Sequence, residues 1–195
     1  MEATAFWNII GEYNDNTIVC QFVLLAVLTA GIFASYFSRH KWIAKAALGM
    51  LNLYIAIFFF LQYGTEPIQH YFALPLFTTT AILFFHEAIT KPHDPISPPN
   101  KMAIALIILY ASYPFVSMLL GERFPKIVTY IMPCPITTIS IAIYSCYKKK
   151  NILLLATLTI WGLTGVKALF FNVYEDIILL IAGIYCLRQC IIRNV

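Results

Sequence analysis

Long, nearly uninterrupted apolar runs separated by short polar clusters make up most of the chain. The runs fall at about 18–37, 44–63, 68–89, 102–120, 127–147, 152–170 and 174–192. Each approaches the roughly 20 residues that an α-helix needs to cross a bilayer. None shows the alternation of apolar and polar positions that a lipid-facing barrel strand requires. The pattern predicts an all-α, polytopic integral membrane protein with seven transmembrane helices in a single domain over residues 1–195. Ahead of the first run, Phe6, Trp7, Ile9, Ile10 and Tyr13 stand among polar residues. That spacing predicts a separate interfacial segment over residues 1–16, with aromatics at headgroup depth. Six spans plus an interfacial helix is the alternative count.

The clusters between the runs carry the residues that stop helices. Ser38-Arg39-His40-Lys41 ends the first run, Gly64-Thr65-Glu66-Pro67 the second, and Lys148-Lys149-Lys150 the fifth. Residues 90–100 hold Pro92, Pro95, Pro98 and Pro99, which forbid a helix and predict the longest and freest loop.

Composition agrees with the pattern. The chain is 61% hydrophobic and 11% charged, whereas soluble domains run near 45–50% apolar and about 25% charged. Seven spans leave no room for a soluble catalytic domain, so any activity belongs among the helices or in short loops. An acidic start (Glu2, Glu12, Asp15) and a full-length first run do not fit a cleavable signal peptide. The five cysteines are an odd number scattered through apolar runs, which is not a disulfide framework.

The net charge of +4 does not point to nucleic acid, because its distribution marks orientation. Of the thirteen Lys and Arg residues, only Arg123, Lys126 and Lys167 fall on one set of loop ends. Arg39, Lys41, Lys45, Lys91, Lys101, Lys148, Lys149, Lys150, Arg188 and Arg193 fall on the other. By the positive-inside rule the N-terminus is outside and the C-terminus in the cytoplasm.

Several residues are candidates for chemistry. Pro133-Cys134-Pro135 lies within the fifth run, where two prolines remove two backbone donors and would break a helix and free carbonyls at membrane depth. The Cys134 thiol between them is a candidate for a soft metal ion or a thiol-reactive substrate. At helical spacing, Thr137 and Thr138 continue a polar stripe below it, and the alternative is a kink with hydroxyls bonded back to their own helix. Tyr113 in the fourth run and Trp161 and Lys167 in the sixth could face the same cavity. Glu175 and Asp176 open the seventh helix, where acids suit the dipole, and either could pair with Lys167. His86 and Glu87 are candidates for a proton relay, against the plainer reading of two groups at the cytoplasmic interface. No cofactor is expected: haem needs axial histidines on paired helices, and a retinal site needs a lysine in the last span.

Tyr13-Asn14, Tyr113-Pro114, Leu119-Leu120-Gly121, Phe124-Pro125, Pro133-Cys134-Pro135, Thr137-Thr138 and Glu175-Asp176 together resemble a bacterial family of uncharacterised polytopic membrane proteins, a domain of unknown function. The resemblance covers most of the chain. Where that family is expected to have Gly-His, this chain has Gly121-Glu122. The resemblance implies a bacterial inner-membrane location and carries no activity.

The leading functional expectation is a small-solute or ion transporter or channel, with a polar cavity beside the broken fifth helix. The alternatives are a membrane-embedded sensor or accessory subunit, and an intramembrane enzyme using Cys134 or His86-Glu87. Expected partners are the lipid bilayer and either a second copy or another membrane protein.

Overall fold

Helices end where the sequence supplies a cap or a proline, and run on where it does not. In the computed structural model, which describes residues 3–168 and 173–193, α1 is one helix from Ala3 to Phe37. The expected break between an interfacial segment and the first span is therefore absent. No proline separates the two, and Tyr13, Asn14, Thr17 and Gln21 recur at helical spacing along a buried face. Those polar residues serve the protein interior, not the headgroups. Val19, Phe22 and Val23 are exposed instead.

Helix α2 (Ile43–Tyr54) continues as a π-helix over Ile55–Gln62. A second π-helix, Gln69–Ala73, leads into α3 (Leu74–Thr90). The turn between them is tight: a Cβ on Gly64 would lie 2.1 Å from the Phe60 carbonyl oxygen. Gln69 Oε1 accepts from the backbone N–H groups of Thr65 (2.8 Å) and Glu66 (2.9 Å), which fastens the hairpin. Helix α4 (Lys101–Leu119) starts at Asn100, whose side chain accepts from Ala103 N. It ends on Gly121, at φ 100°, with Gly121 N–H bonded to Met118 and Glu122 N–H to Ser117. This is the Schellman arrangement that a positive-φ glycine permits.

The fifth element departs most from expectation. Residues 121–132 are not helical, and α5 spans only Pro133–Tyr144. Met132, preceding a proline, is extended at φ −131° and ψ 163°. Pro133 and Pro135 then occupy the first turn, where their missing N–H groups would have lacked helical partners anyway. The prolines thus open a helix and do not break one. Its 12 residues reach about 18 Å. Every residue of α5 except Cys134 is buried, and it packs against α2, α4, α6 (Ile152–Leu163) and α7 (Asp176–Arg193).

Helix α6 continues as a 3-10 turn, Thr164–Lys167, and residues 169–170, expected to finish the sixth span, lie outside the described residues. It meets α7 backbone to backbone: a Cβ on Gly162 would fall 2.5 Å from Gly183 Cα. The proline-rich loop is tied down. Ile96 bridges to Tyr147, Ser97 N–H bonds the Cys146 carbonyl (2.9 Å) and Lys148 N–H the Pro95 carbonyl (3.1 Å).

Among the described residues, four helical stretches are long and apolar enough to cross a membrane: Trp7–Phe37, Ile43–Gln62, Gln69–Thr90 and Lys101–Leu119. Large apolar side chains such as Phe37, Tyr71, Ile89 and Leu119 are exposed, while Lys45, Glu87, Asp94 and Asn14 are buried. Water-soluble proteins seldom bury so many charged and polar groups while exposing so many large apolar side chains. The inversion suits a hydrocarbon solvent, with the helices satisfying their own backbone groups.

Candidate functional site

An extended backbone at membrane depth needs protein partners for its polar groups. The segment leading into α5 finds them on α1 and α4. Tyr13 Oη donates to the Ile131 carbonyl (2.5 Å), and Asn14 Nδ2 donates to the carbonyls of Pro125 (2.6 Å) and Ile127 (2.9 Å). Thr129 Oγ1 donates to Gln21 Oε1 (2.6 Å), and Gln21 Nε2 to Asn14 Oδ1 (3.1 Å). Ser117 Oγ accepts from Val128 N–H (3.1 Å) and donates to Glu175 Oε1 (2.7 Å). The peptide bond between Phe124 and Pro125 is cis.

With that segment held, the start of α5 borders a cavity of about 280 Å³. The π-helical ends of the second and third helical stretches supply Phe59, Phe60, Gln69, Phe72 and Ala73. Glu66 and Ile68 come from the turn between them, Ile10 from α1, and Val128 and Met132 from the extended segment. Pro133, Cys134 and Pro135 form one wall; Trp161, Thr164, Lys167 and Asp176 form another. π-helical turns frequently mark functional sites, and here two of them face one cavity.

The polar groups in this apolar chamber converge. Lys167 Nζ lies 3.5 Å from Asp176 Oδ2 and 5.2 Å from the centre of the Trp161 ring. Asp176, Lys167, Trp161 and, from behind the wall, Tyr113 are near enough to act on the Cys134 thiol. Trp161 Nε1 is buried without a hydrogen-bond partner among the described residues, and Asp176 Oδ2 is buried with only the Lys167 ion pair. The indole is held edge-on by Phe60 (5.5 Å) and Phe77 (5.0 Å). The two prolines leave the N–H of Cys134 as the first-turn donor without a helical partner, since Ile136 N–H bonds Met132. The site therefore offers an ammonium, an indole N–H, a thiol and two carboxylates within mostly apolar walls.

Other sequence candidates lie elsewhere. Thr137 and Thr138 donate to the carbonyls of Pro133 (2.8 Å) and Cys134 (3.0 Å) in their own helix, and Tyr113 is buried against Thr138 (3.3 Å). Glu175 is held by Ser117, so Lys167 pairs with Asp176 alone of the two acids. His86 is exposed, whereas Glu87 beside it is fully buried. From Ala73 in the cavity wall to Glu87 is about 20 Å along the helix, so Glu87 and Cys134 do not meet.

Glu87 belongs to a second cluster that the sequence did not reveal. Lys45 Nζ is 3.4 Å from Glu87 Oε2 and 3.0 Å from Asp94 Oδ2, all three side chains fully buried. Lys91 also pairs with Glu87, Tyr144 Oη lies 3.4 Å from it, and Lys45 sits 4.4 Å from the Tyr147 ring centre. Lys149 N–H bonds Asp94 Oδ1 (3.1 Å). The cluster clamps α2, α3, the proline-rich loop and the end of α5 together, opposite the cavity. Lys45 reads in sequence as one more orientation charge. Its place two residues inside an apolar run was the available sign of burial.

A model of a family of unknown function (DUF6064) matches residues 3–195. No curated protein and no solved structure matches the chain.

Proposed function

The chain belongs to that family, which brings no activity with it, and we propose from the geometry that it is a small-solute transporter of the bacterial inner membrane. The reading rests on one observation: the cavity at the start of α5 gathers Cys134, Trp161, Lys167 and Asp176, with the Asp176 carboxylate paired to Lys167 and the Trp161 Nε1 unbonded among the described residues. A mostly apolar pocket with a few convergent polar groups is the usual form of a small-molecule site. The positive-inside pattern puts this end outside and the Lys45–Glu87–Asp94 clamp at the cytoplasmic side. The arrangement is then a carrier open outward and closed inward, and transport requires the clamp to open as the cavity closes.

Proteoliposome flux tests this. Panels of organic cations, weak acids and neutral solutes should include one class whose flux depends on the protein. That flux should fall to background in Cys134→Phe, whose ring fills the cavity, and in Asp176→Asn. Protein-dependent flux of no class, or flux indifferent to Cys134→Phe, rejects the reading.

A further inference from the structure

Assuming the cavity is a solute site, we propose that it takes an amphiphilic organic cation, and that Lys167 is a built-in competitor which the ligand displaces. The walls include the rings of Phe59, Phe60, Phe72 and Trp161, whose faces carry negative partial charge and attract ammonium groups. Two carboxylates, Glu66 and Asp176, stand against the single ammonium of Lys167, so the lining is formally negative. Lys167 itself occupies the place a ligand cation would take. Its Nζ lies 5.2 Å from the centre of the Trp161 ring and 3.5 Å from Asp176 Oδ2.

Two features make that place available to a ligand. The Lys167 side chain is 34% exposed, and its long stem lets the ammonium swing to the rim while the methylenes stay against apolar surface. Trp161 is 8% and Asp176 3% exposed, and among the described residues Asp176 Oδ2 has the Lys167 ion pair as its one polar contact. A buried carboxylate oxygen held only by a movable ammonium is where a ligand cation can take that ammonium's place, and Trp161 contributes the face of its ring rather than its N–H. An anion fits less well. The start of α5 would favour one through its dipole, but Pro133 and Pro135 strip two of its donors, and Asp176 already neutralises Lys167.

Three probes that share a benzyl group separate the cases: benzyltrimethylammonium, its uncharged isostere neopentylbenzene, and the anion phenylacetate. Binding to the purified full-length protein in detergent is followed by isothermal titration and by protection of Cys134 from N-ethylmaleimide, with Cys134→Ser as the blank. The cation should bind at least about tenfold more tightly than either analogue and should protect Cys134. Lys167→Gln should strengthen cation binding by about tenfold by removing the competitor. Asp176→Asn should weaken it by a similar factor. The Lys167→Gln arm is the decisive one, because a damaged fold does not gain affinity. If phenylacetate or neopentylbenzene binds better and protects Cys134, the solute site stands and the cation assignment falls. Weaker cation binding in Lys167→Gln also overturns it. If no probe protects Cys134, the solute-site reading falls with it.

Discussion

A single hydroxyl on α1 holds the backbone just ahead of α5. Tyr13→Phe keeps the ring, which packs edge-on against Phe59 (5.0 Å) and Tyr63 (5.8 Å), and removes the hydroxyl that bonds the Ile131 carbonyl and lies beside Tyr54 and Thr17. A buried acceptor left without its donor costs about 1–3 kcal/mol. The substitution should lower the unfolding temperature in detergent and speed the reaction of Cys134 with N-ethylmaleimide. An unchanged melting curve with unchanged thiol reactivity would show that the hydroxyl is not a fastening. The second cluster behaves differently, because its members are charged. Lys45→Met leaves Glu87 with Lys91 and Tyr144 but takes from buried Asp94 its ammonium partner, and breaking a buried pair costs about 3–5 kcal/mol. Adding Glu87→Gln and Asp94→Asn should recover most of that loss, since buried ion pairs exchange for neutral groups at little net cost. A triple variant as unstable as Lys45→Met alone would place the effect in packing, not charge.

Between elements, α6 and α7 depend on the absence of side chains. Gly162 and Gly183 bring the two backbones close enough that an added Cβ would clash at 2.4–2.8 Å. Small residues that let helices approach are a common means of association in lipid. Gly183→Val should push α7 away from α6, lengthen the Lys167–Asp176 pair and destabilise the protein, measured by its melting temperature in detergent. Wild-type stability in Gly183→Val would mean that the contact is looser than drawn. Helices in such a fold are legible in sequence because hydrocarbon demands continuous apolar runs. The α2, α3 and α4 stretches accordingly fall within a few residues of their expected limits. The break before α5 was hidden by the same rule, since Ile127, Val128, Ile131 and Met132 are as apolar as any helix. Pro125 and Pro133 were the legible signals: a proline at the first helical position, preceded by an extended residue, marks a start. The polar face of α1 was misleading for a related reason. Tyr13 and Asn14 resemble headgroup residues unless the chain they bond, over a hundred positions away, is known to be non-helical. The grouping of Cys134 with Trp161, Lys167 and Asp176 could be guessed from shared depth, but the aromatic walls on the π-helical turns could not.

At the scale of the whole molecule, the cavity and the buried charge clamp occupy opposite ends, and which end meets the cytoplasm decides what the protein can do. The sequence argument for orientation is the concentration of Lys and Arg at the clamp end, including Lys148, Lys149 and Lys150. If it holds, Cys134 should react with a membrane-impermeant thiol reagent added outside right-side-out vesicles, and far less in inverted ones. Four other cysteines test the assignment within the same sample. Cys146 and Cys186 are buried, Cys190 is half-buried beside Thr159, and Cys20 lies on the apolar outer face of α1. Labelling that vanishes in Cys134→Ser therefore reports the cavity alone. Modification from the cytoplasmic side only would invert the orientation, turning the proposed uptake site into one that loads from within. A carrier also predicts more than static sidedness. Opening the clamp by Lys45→Met should shift the protein toward its inward-facing form and so reduce outside labelling of Cys134. A fixed receptor pocket would keep the same labelling whatever happens at the far end.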